Sequence, residues 1–225
     1  MGANATTFVP AYVAGEVLTA ADLSVTNSGI PVFATTVTRD AAFGGTGEKT
    51  LAEGQFAYLE DSNVTQYYDG AAWQSLSRAV QVVNTQTGAV ATGTTTIPFD
   101  DTIPQNTEGT EFLTLAITPT NASNILVINI VANFSYSIAN TITLALFQDT
   151  TANALAASAE YGSTATGMIN SGLTHKMTAG TTSATTFKFR MGGETAGTLT
   201  LNGFSGARKL GGVFATSMTI AEYAV

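Results

Sequence analysis

The last two thirds of the chain consist of short segments in which apolar and polar residues alternate, and this pattern constrains the fold most. In residues 141–149, for example, Ile142, Leu144 and Leu146 share one face, as side chains do along a strand with its period of two. No helical period intervenes, so we predict an all-β protein whose residues 79–225 form an antiparallel jelly-roll β-sandwich. The predicted strands are 79–84, 94–99, 111–119, 124–137, 141–149, 154–161, 168–178, 185–193, 198–204 and 214–224.

Two of these segments, 124–134 and 141–147, are apolar on both faces. A lone sandwich keeps one face of each sheet in water, so a strand that is apolar on both faces needs a second covering surface. Another copy of the same chain is the economical source of that surface, because symmetric homo-oligomers are common. We therefore expect a homo-oligomer.

The charge and composition exclude several classes of function. Charged residues make up only 11% of the chain and the formal net charge is −8, with no basic stripe, so binding to nucleic acid is not expected. There is no cysteine, hence no disulfide and no thiolate site. Residues 1–15 lack the features of a signal peptide, and no window has the apolar length of a membrane span. We expect a soluble chain, made in a cytosol, that does not insert into membranes.

Residues 1–30 are predicted to form an extended docking arm. Pro10 removes a backbone donor and favours an extended conformation before it, and the arm has no core of its own. A single helical turn from Thr19 to about Val25 is predicted by a capping-box-like pattern. The residues expected to contact a partner are Phe8, Pro10, Tyr12, Val13 and Leu18.

Residues 31–78 are predicted to form a small three-stranded meander that couples the arm to the sandwich. A strand is expected over 30–38, and the meander strands over 55–61, 64–69 and 71–76, with a type I′ turn at Asp69-Gly70. So small a sheet must bury one face with whatever large side chains it has. The predicted hairpin core is Phe56, Tyr58, Tyr67, Tyr68 and Trp73, although an aromatic platform for carbohydrate is an alternative.

Catalytic constellations are not found in the sequence. His175 is the only histidine, so a two-histidine metal motif is impossible, and no nucleophile elbow or phosphate-binding loop occurs. We predict that the protein is not an enzyme and has no cofactor and no metal ligands. Four carboxylates in one loop are expected to be solvated, with a divalent ion as the alternative: Asp100, Asp101, Glu108 and Glu111. Arg208 and Lys209 form a basic pair, either a solubilising loop or a host-facing one.

Two stretches carry a resemblance to known families. AGEVLTAADLSVTNSGIPVF followed by TRDAAFGGTGEKTLAEGQFAYLEDSNVTQYYDGAAW resembles the opening module of bacteriophage tail-fibre, minor tail and head-fibre proteins. The later TTTIPFDDTIPQNTEGTEFLTLAITP and LALFQDTTANALAA are similar to C-terminal jelly-roll domains of phage structural proteins, and the strand pattern resembles the trimeric sandwiches of C1q and tumour necrosis factor (TNF).

The resemblance implies a virion protein assembled in the host bacterial cytoplasm. It implies a short homotrimeric fibre that docks on another virion protein, of capsid or tail, through its N-terminal arm. The displayed sandwich is expected to contact a glycan or protein of the host surface. The alternative is a capsid decoration or head-fibre protein with no host ligand.

Overall fold

The structure is a computed structural model, and it describes residues 15, 17, 29–46, 48–76 and 79–224. The chain divides into two compact units, Met1–Ser77 and Arg78–Val225. The predicted helical turn lies outside the described residues. So do all five residues expected to dock the arm: Phe8, Pro10, Tyr12, Val13 and Leu18.

The described part of the first unit is a four-stranded sheet with one short helix. Its strands are β1 (Val32–Phe33), β2 (Phe56–Leu59), β3 (Val64–Tyr68) and β4 (Trp73–Ser75), in that spatial order, and helix α1 (Thr36–Asp40) follows β1. β2, β3 and β4 form the predicted antiparallel meander, while β1 adds to it in parallel. The all-β prediction is confirmed for this unit.

The strand predicted over 30–38 is wrong beyond Phe33, because residues 36–40 are helical. The reason is a capping box that the alternation of threonine and valine concealed. The Thr35 side chain accepts a hydrogen bond from the Thr38 amide, and the Thr38 hydroxyl accepts one from the Thr35 amide. Together these bonds satisfy two backbone donors at the start of the helix.

The hairpin core is only partly as predicted. Tyr68 and Trp73 pair directly on the buried face, with ring centroids 5.6 Å apart. Phe56 is wrong as a core residue because it is 42% exposed, and its neighbour Ala57 is fully buried instead. Tyr58 and Tyr67 share the face of Phe56 and are half-buried, so they too lie outside the buried cluster Phe33, Ala42, Ala57 and Leu59.

Helix α1 explains which face of the meander is buried. Its Arg39 is 5% exposed, pairs with Asp40 at 2.7 Å, and places its guanidinium 4.6 Å from the centre of the Trp73 ring. The same guanidinium donates to Gln66. A cation over an indole face is favourable, more so when it is shielded from water. The small Ala57 side chain therefore lies under the helix, while the larger Phe56 points away from it.

The turn after β3 also differs from the predicted two-residue type I′ turn. Tyr68 pairs with Trp73, so the connection has four residues, and in it only Gly70 has a positive φ, 96°. The Asp69 carboxylate accepts hydrogen bonds from the amides of Ala71 and Ala72 at 2.9 and 2.8 Å. The Asp69 amide also donates to the Ala72 carbonyl oxygen at 3.0 Å, so a tight turn closes over Gly70 and Ala71, one residue later than predicted.

The second unit is the predicted sandwich, and this fold is confirmed. Its four-stranded sheet has the order β10-β9-β12-β7, and its six-stranded sheet has the order β5-β16-β8-β13-β6 with β11 on β8. Below, the four-stranded sheet means this sheet of the sandwich. The ranges are β5 (Ala79–Thr87), β6 (Ala91–Gly93), β7 (Thr110–Ile117), β8 (Ile125–Tyr136), β9 (Asn140–Gln148), β10 (Ala156–Gly162), β11 (Met168–Thr178), β12 (Thr185–Gly193), β13 (Leu199–Leu201), β14 (Gly203–Phe204), β15 (Ala207–Arg208) and β16 (Thr216–Tyr223). β14 and β15 form a separate small hairpin.

Both sheets contribute to one core. Leu144 and Phe187 of the four-stranded sheet and Ile128, Phe134 and Ile220 of the six-stranded sheet are all fully buried in it. All ten predicted segments except 94–99 contain a strand, because alternation marks each inner face. The pairing is antiparallel throughout this unit.

The predicted strand 94–99 is wrong. This segment instead covers the outer face of β9, a face that we expected another copy of the chain to cover. Ile97 is fully buried against Ala145 and Phe147, which lie on the outer face of β9. The second face of β9 is thus covered by the chain itself and not by another copy. We call residues 94–109 the covering segment.

Two features hold the covering segment in place. Gly192 of β12 admits its backbone, since a Cβ atom there would lie 2.7 Å from the Thr95 carbonyl oxygen. Arg190 donates to the carbonyl oxygens of Glu108 at 2.7 Å and Gly109 at 2.8 Å, and forms an ion pair with Glu111 at 3.3 Å. Burial and hydrogen bonding therefore act together to fix this loop on the sheet.

We predict that Ile97→Ala lowers the free energy of unfolding by about 2–4 kcal/mol, because it removes a fully buried aliphatic side chain. Ile103→Ala is the matched control: Ile103 lies in the same segment but is 54% exposed, so a change within about 0.5 kcal/mol is expected. Urea unfolding of both variants measures the difference. Equal losses would contradict the covering role of Ile97.

Candidate self-association face

The outer side of the six-stranded sheet presents an open surface of strands β5, β16, β8 and β11. We call it the outer face, and define it by the outward side chains Val82, Asn84, Val127, Asn129, Val131, Thr174, Lys176, Thr219, Ala221 and Tyr223. Strand register places these side chains in rows across the sheet. One row runs Val82, Ala221, Val127, Lys176 and the next Asn84, Thr219, Asn129, Thr174.

The polar row is fixed by cross-strand hydrogen bonds. Asn84 donates to the Thr219 hydroxyl at 2.8 Å, and Asn129 donates to the Thr174 hydroxyl at 3.0 Å. Pairs of this kind stabilise a sheet and hold the side chains flat against it. The outer face is therefore ordered before any partner arrives.

Apolar side chains on this face remain exposed. Val82 is 58% exposed, Val131 39% and Tyr223 37%. Lys176 is the charged side chain among the ten that define the face. Cores of protein interfaces are depleted in charge in the same way. The prediction of a second apolar face on 124–134 thus applies to β8, where the described chain does not cover Val131.

A buried carboxylate anchors the strand that crosses the middle of this sheet. Glu222 of β16 is fully buried at the end of the core. It accepts hydrogen bonds from Gln81 Nε2 at 2.6 Å, the Thr120 amide at 2.8 Å, the Thr120 hydroxyl at 2.9 Å and Asn124 Nδ2 at 2.6 Å. Glu222 was not among the predicted site residues, although its spacing of two from Ile220 and four from Met218 places it on the same face of the strand.

Two effects act on the pKa of the Glu222 carboxyl. Burial alone would raise it, but the hydrogen bonds from Gln81, Asn124 and Thr120 together lower it below its ordinary value of 4.5. The group is therefore a carboxylate at neutral pH. It links β5, β16 and the turn before β8, three parts of the sheet that are far apart in the sequence.

Of the four acidic residues considered for a divalent ion (Asp100, Asp101, Glu108 and Glu111), three have separate hydrogen-bond partners. Asp100 accepts from the Thr102 amide and hydroxyl, Glu108 from the Gln105 amide, and Glu111 from Thr114 and Arg190. The hydrogen bonds from Thr102, first its hydroxyl and then its amide, lower the pKa of Asp100. Within the described ranges, no three acidic or histidine side chains cluster as a metal site would require.

The remaining predicted site residues lie apart from the outer face. Arg208 and Lys209 are exposed at the β14–β15 hairpin, with the Lys209 ammonium 5.4 Å from the centre of the Phe204 ring. His175 is half-buried on β11, on the same face of the strand as the core residue Leu173. Where the structure describes the chain, it contains no helix with the length and apolar character of a membrane span.

Comparison with known proteins identifies one family. Residues 92–224 match the family described as Pgp3 C-terminal domain. No curated protein matches the chain.

Solved structures with a similar course of the chain are distant in sequence. Eiger TNF from S. frugiperda has a TM-score of 0.38 and 9% identity, covering 65% of this chain and 94% of its own. The infectious bursal disease virus Gx strain has a TM-score of 0.31 and 9% identity, covering 69% of this chain and 43% of its own. The enzymatically active domain of tailspike protein 4 from bacteriophage CBA120 has a TM-score of 0.25 and 16% identity, covering 54% of this chain and 18% of its own.

We predict that Glu222→Gln lowers the free energy of unfolding at pH 7 by about 2–3 kcal/mol, because an amide cannot accept all of these bonds. Since the folded pKa is lowered, the wild-type contribution is present above pH 4.5 and is lost as the pH falls through the folded value. The variant should therefore show a weaker loss of stability on acidification. Denaturant unfolding at pH 7 and pH 4 measures both effects.

The control for this prediction is Glu160→Gln, which changes an exposed carboxylate on β10. It should leave stability at pH 7 unchanged within about 0.5 kcal/mol. If Glu222→Gln behaves like this control, the anchoring role is refuted.

Proposed function

This chain belongs to the family described as Pgp3 C-terminal domain, and we propose that its C-terminal unit self-associates as a homotrimer through the outer face. The observation that carries the proposal is the exposure of Val82, Val131 and Tyr223 on an ordered sheet surface with little charge. Burying such a surface is favourable by roughly 25 cal/mol for each Å² of apolar area. The threefold arrangement follows from the resemblance of the strand pattern to C1q/TNF-like trimers.

A second copy fits the outer face better than an unrelated partner. Its outward amides and hydroxyls are already paired along the sheet, so a facing copy can pack on the valines without stranding these polar groups. The chain as a whole is poor in charge, which lowers the cost of bringing like surfaces together. A homo-oligomer also needs no complementary protein from another source.

We further propose that the trimer is a structural component of a bacteriophage particle, assembled in the bacterial cytoplasm. The arm, residues 1–30, attaches it to another virion protein, and the sandwich is displayed as a short fibre that contacts the host surface. This part rests on the resemblance of the N-terminal module to phage fibre proteins. The role is one of attachment and not catalysis, and it involves neither nucleic acid nor membrane insertion.

Size-exclusion chromatography with light scattering tests the homotrimer. The wild type should have three times the mass of one chain, and Val131→Lys should have the mass of a single chain, because a cation would be buried in the interface. Val213→Lys is the matched control, since Val213 is 86% exposed in the turn before β16 and is not one of the side chains that define the outer face. It should remain trimeric. A wild type of single-chain mass at micromolar concentration would refute the proposal.

Incorporation into particles tests the virion role. A chain without residues 1–30 should still form trimers but no longer join particles, and its incorporation would refute the role of the arm. Immunogold labelling of intact particles then separates the two assignments. Label on the tail supports a host-contacting fibre, whereas label spread over the head supports the decoration protein.

A further inference from the structure

A small groove lies on the four-stranded sheet of the sandwich, on the side that faces away from the core. The outer face defined above belongs to the other sheet. The covering segment lines it with Pro98, Phe99 and Pro104, and the edge strand β10 lines it with Ala157 and Ala159. Its volume is about 220 Å³. Drug-sized ligands occupy roughly 300–1,000 Å³, so this groove holds a single ring and not an extended molecule.

The walls of the groove combine an exposed aromatic ring with small side chains. Phe99 is 58% exposed, whereas five other phenylalanines are fully buried: Phe33, Phe134, Phe147, Phe187 and Phe189. The alanines of β10 leave space opposite it. Proline and phenylalanine together offer a rigid apolar surface against which a flat ring can lie.

Thr143 also lines the groove, with a side chain that is almost fully buried. Thr143 of β9 is 5% exposed, and its Oγ1 has no hydrogen-bond partner among the described residues. Its neighbours across the sheet, Ala159 and Gly192, carry no polar side chain. A buried hydroxyl left unpaired is costly, so a ligand with a polar group at this position would be bound preferentially.

A carboxylate completes the polar side of the groove. Asp100 lines it, and its Oδ1 accepts from the Thr102 amide at 2.8 Å and the Thr102 hydroxyl at 2.5 Å. These bonds fix the orientation of the carboxylate. A fixed carboxylate accepts hydrogen bonds from ligand hydroxyls and repels anions.

We infer that this groove binds one neutral pyranose ring, such as a terminal hexose of a surface glycan. A pyranose has an apolar face of C–H groups for Phe99 and the prolines, and hydroxyls for Thr143 and Asp100. A purely apolar ligand would leave the Thr143 hydroxyl unpaired, and an anionic sugar would face Asp100. The inference rests on the proposed contact between the displayed sandwich and the host surface.

The test uses the full chain with 13C-labelled alanine methyl groups. Neutral methyl glycosides of glucose, galactose, mannose and N-acetylglucosamine are titrated in turn, beside glucuronate and N-acetylneuraminate. At least one neutral glycoside should shift the methyl signals of Ala157 and Ala159, with a dissociation constant on the order of 1 mM for so small a ligand. The two anionic sugars should not shift them.

Two variants test the residues that carry the inference. Phe99→Ala and Thr143→Val should each weaken binding about ten-fold or more. Thr143→Val removes only the unpaired hydroxyl, so its thermal stability should equal or exceed that of the wild type. Phe204→Ala, at an aromatic ring that is 37% exposed outside the groove, is the matched control and should bind normally.

The inference is overturned if no neutral glycoside shifts the alanine signals, if the anionic sugars bind equally well, or if Phe204→Ala weakens binding as much as Phe99→Ala. Light scattering of the same samples separates this from the proposed homotrimer. A trimer that binds no sugar removes the groove and leaves the self-association. A protein of single-chain mass that binds sugar would support the groove and refute the homotrimer.

Discussion

Strand β9 is buried on both faces, and the arrangement of the whole sandwich depends on how that is achieved. Its inner face belongs to the core shared by the two sheets, whereas its outer face lies under Ile97 of the covering segment. Arg190 and the absence of a side chain at Gly192 hold that segment close. The four-stranded sheet of the sandwich therefore needs no partner at β9, and the candidate self-association face lies on the opposite sheet.

The covering of β9 also changes the reasoning about self-association. Apolar residues on both faces of a strand do not by themselves indicate an oligomer, because a loop distant in sequence can supply the second surface. At β8 the case is different, since Val131 remains 39% exposed between neighbouring strands. The outer face of the six-stranded sheet is therefore the surface that supports the proposed homotrimer.

Alternation predicted the strands well, because a period of two directly reports which side chains face a core. Alternation did not show which face is buried where both faces of a strand carry apolar side chains. In β2, Phe56 and Ala57 alternate, and only helix α1 with Arg39 decides that the smaller residue is buried. Likewise, no motif marks Ile97, Phe99 or Thr143. The covering segment brings the first two close to Thr143 of β9, and the path of that segment could not be read from the sequence. Glu222 alone gave a usable signal, through its spacing.

The position of β16 in the middle of its sheet governs the order of events during synthesis. It pairs with β5 on one side and β8 on the other, so the first strand of the sandwich joins the sheet only through residues 216–223. Pairing across such a separation is slow and leaves strand edges open in the meantime. A nascent chain therefore cannot complete this sheet until β16 has left the ribosome.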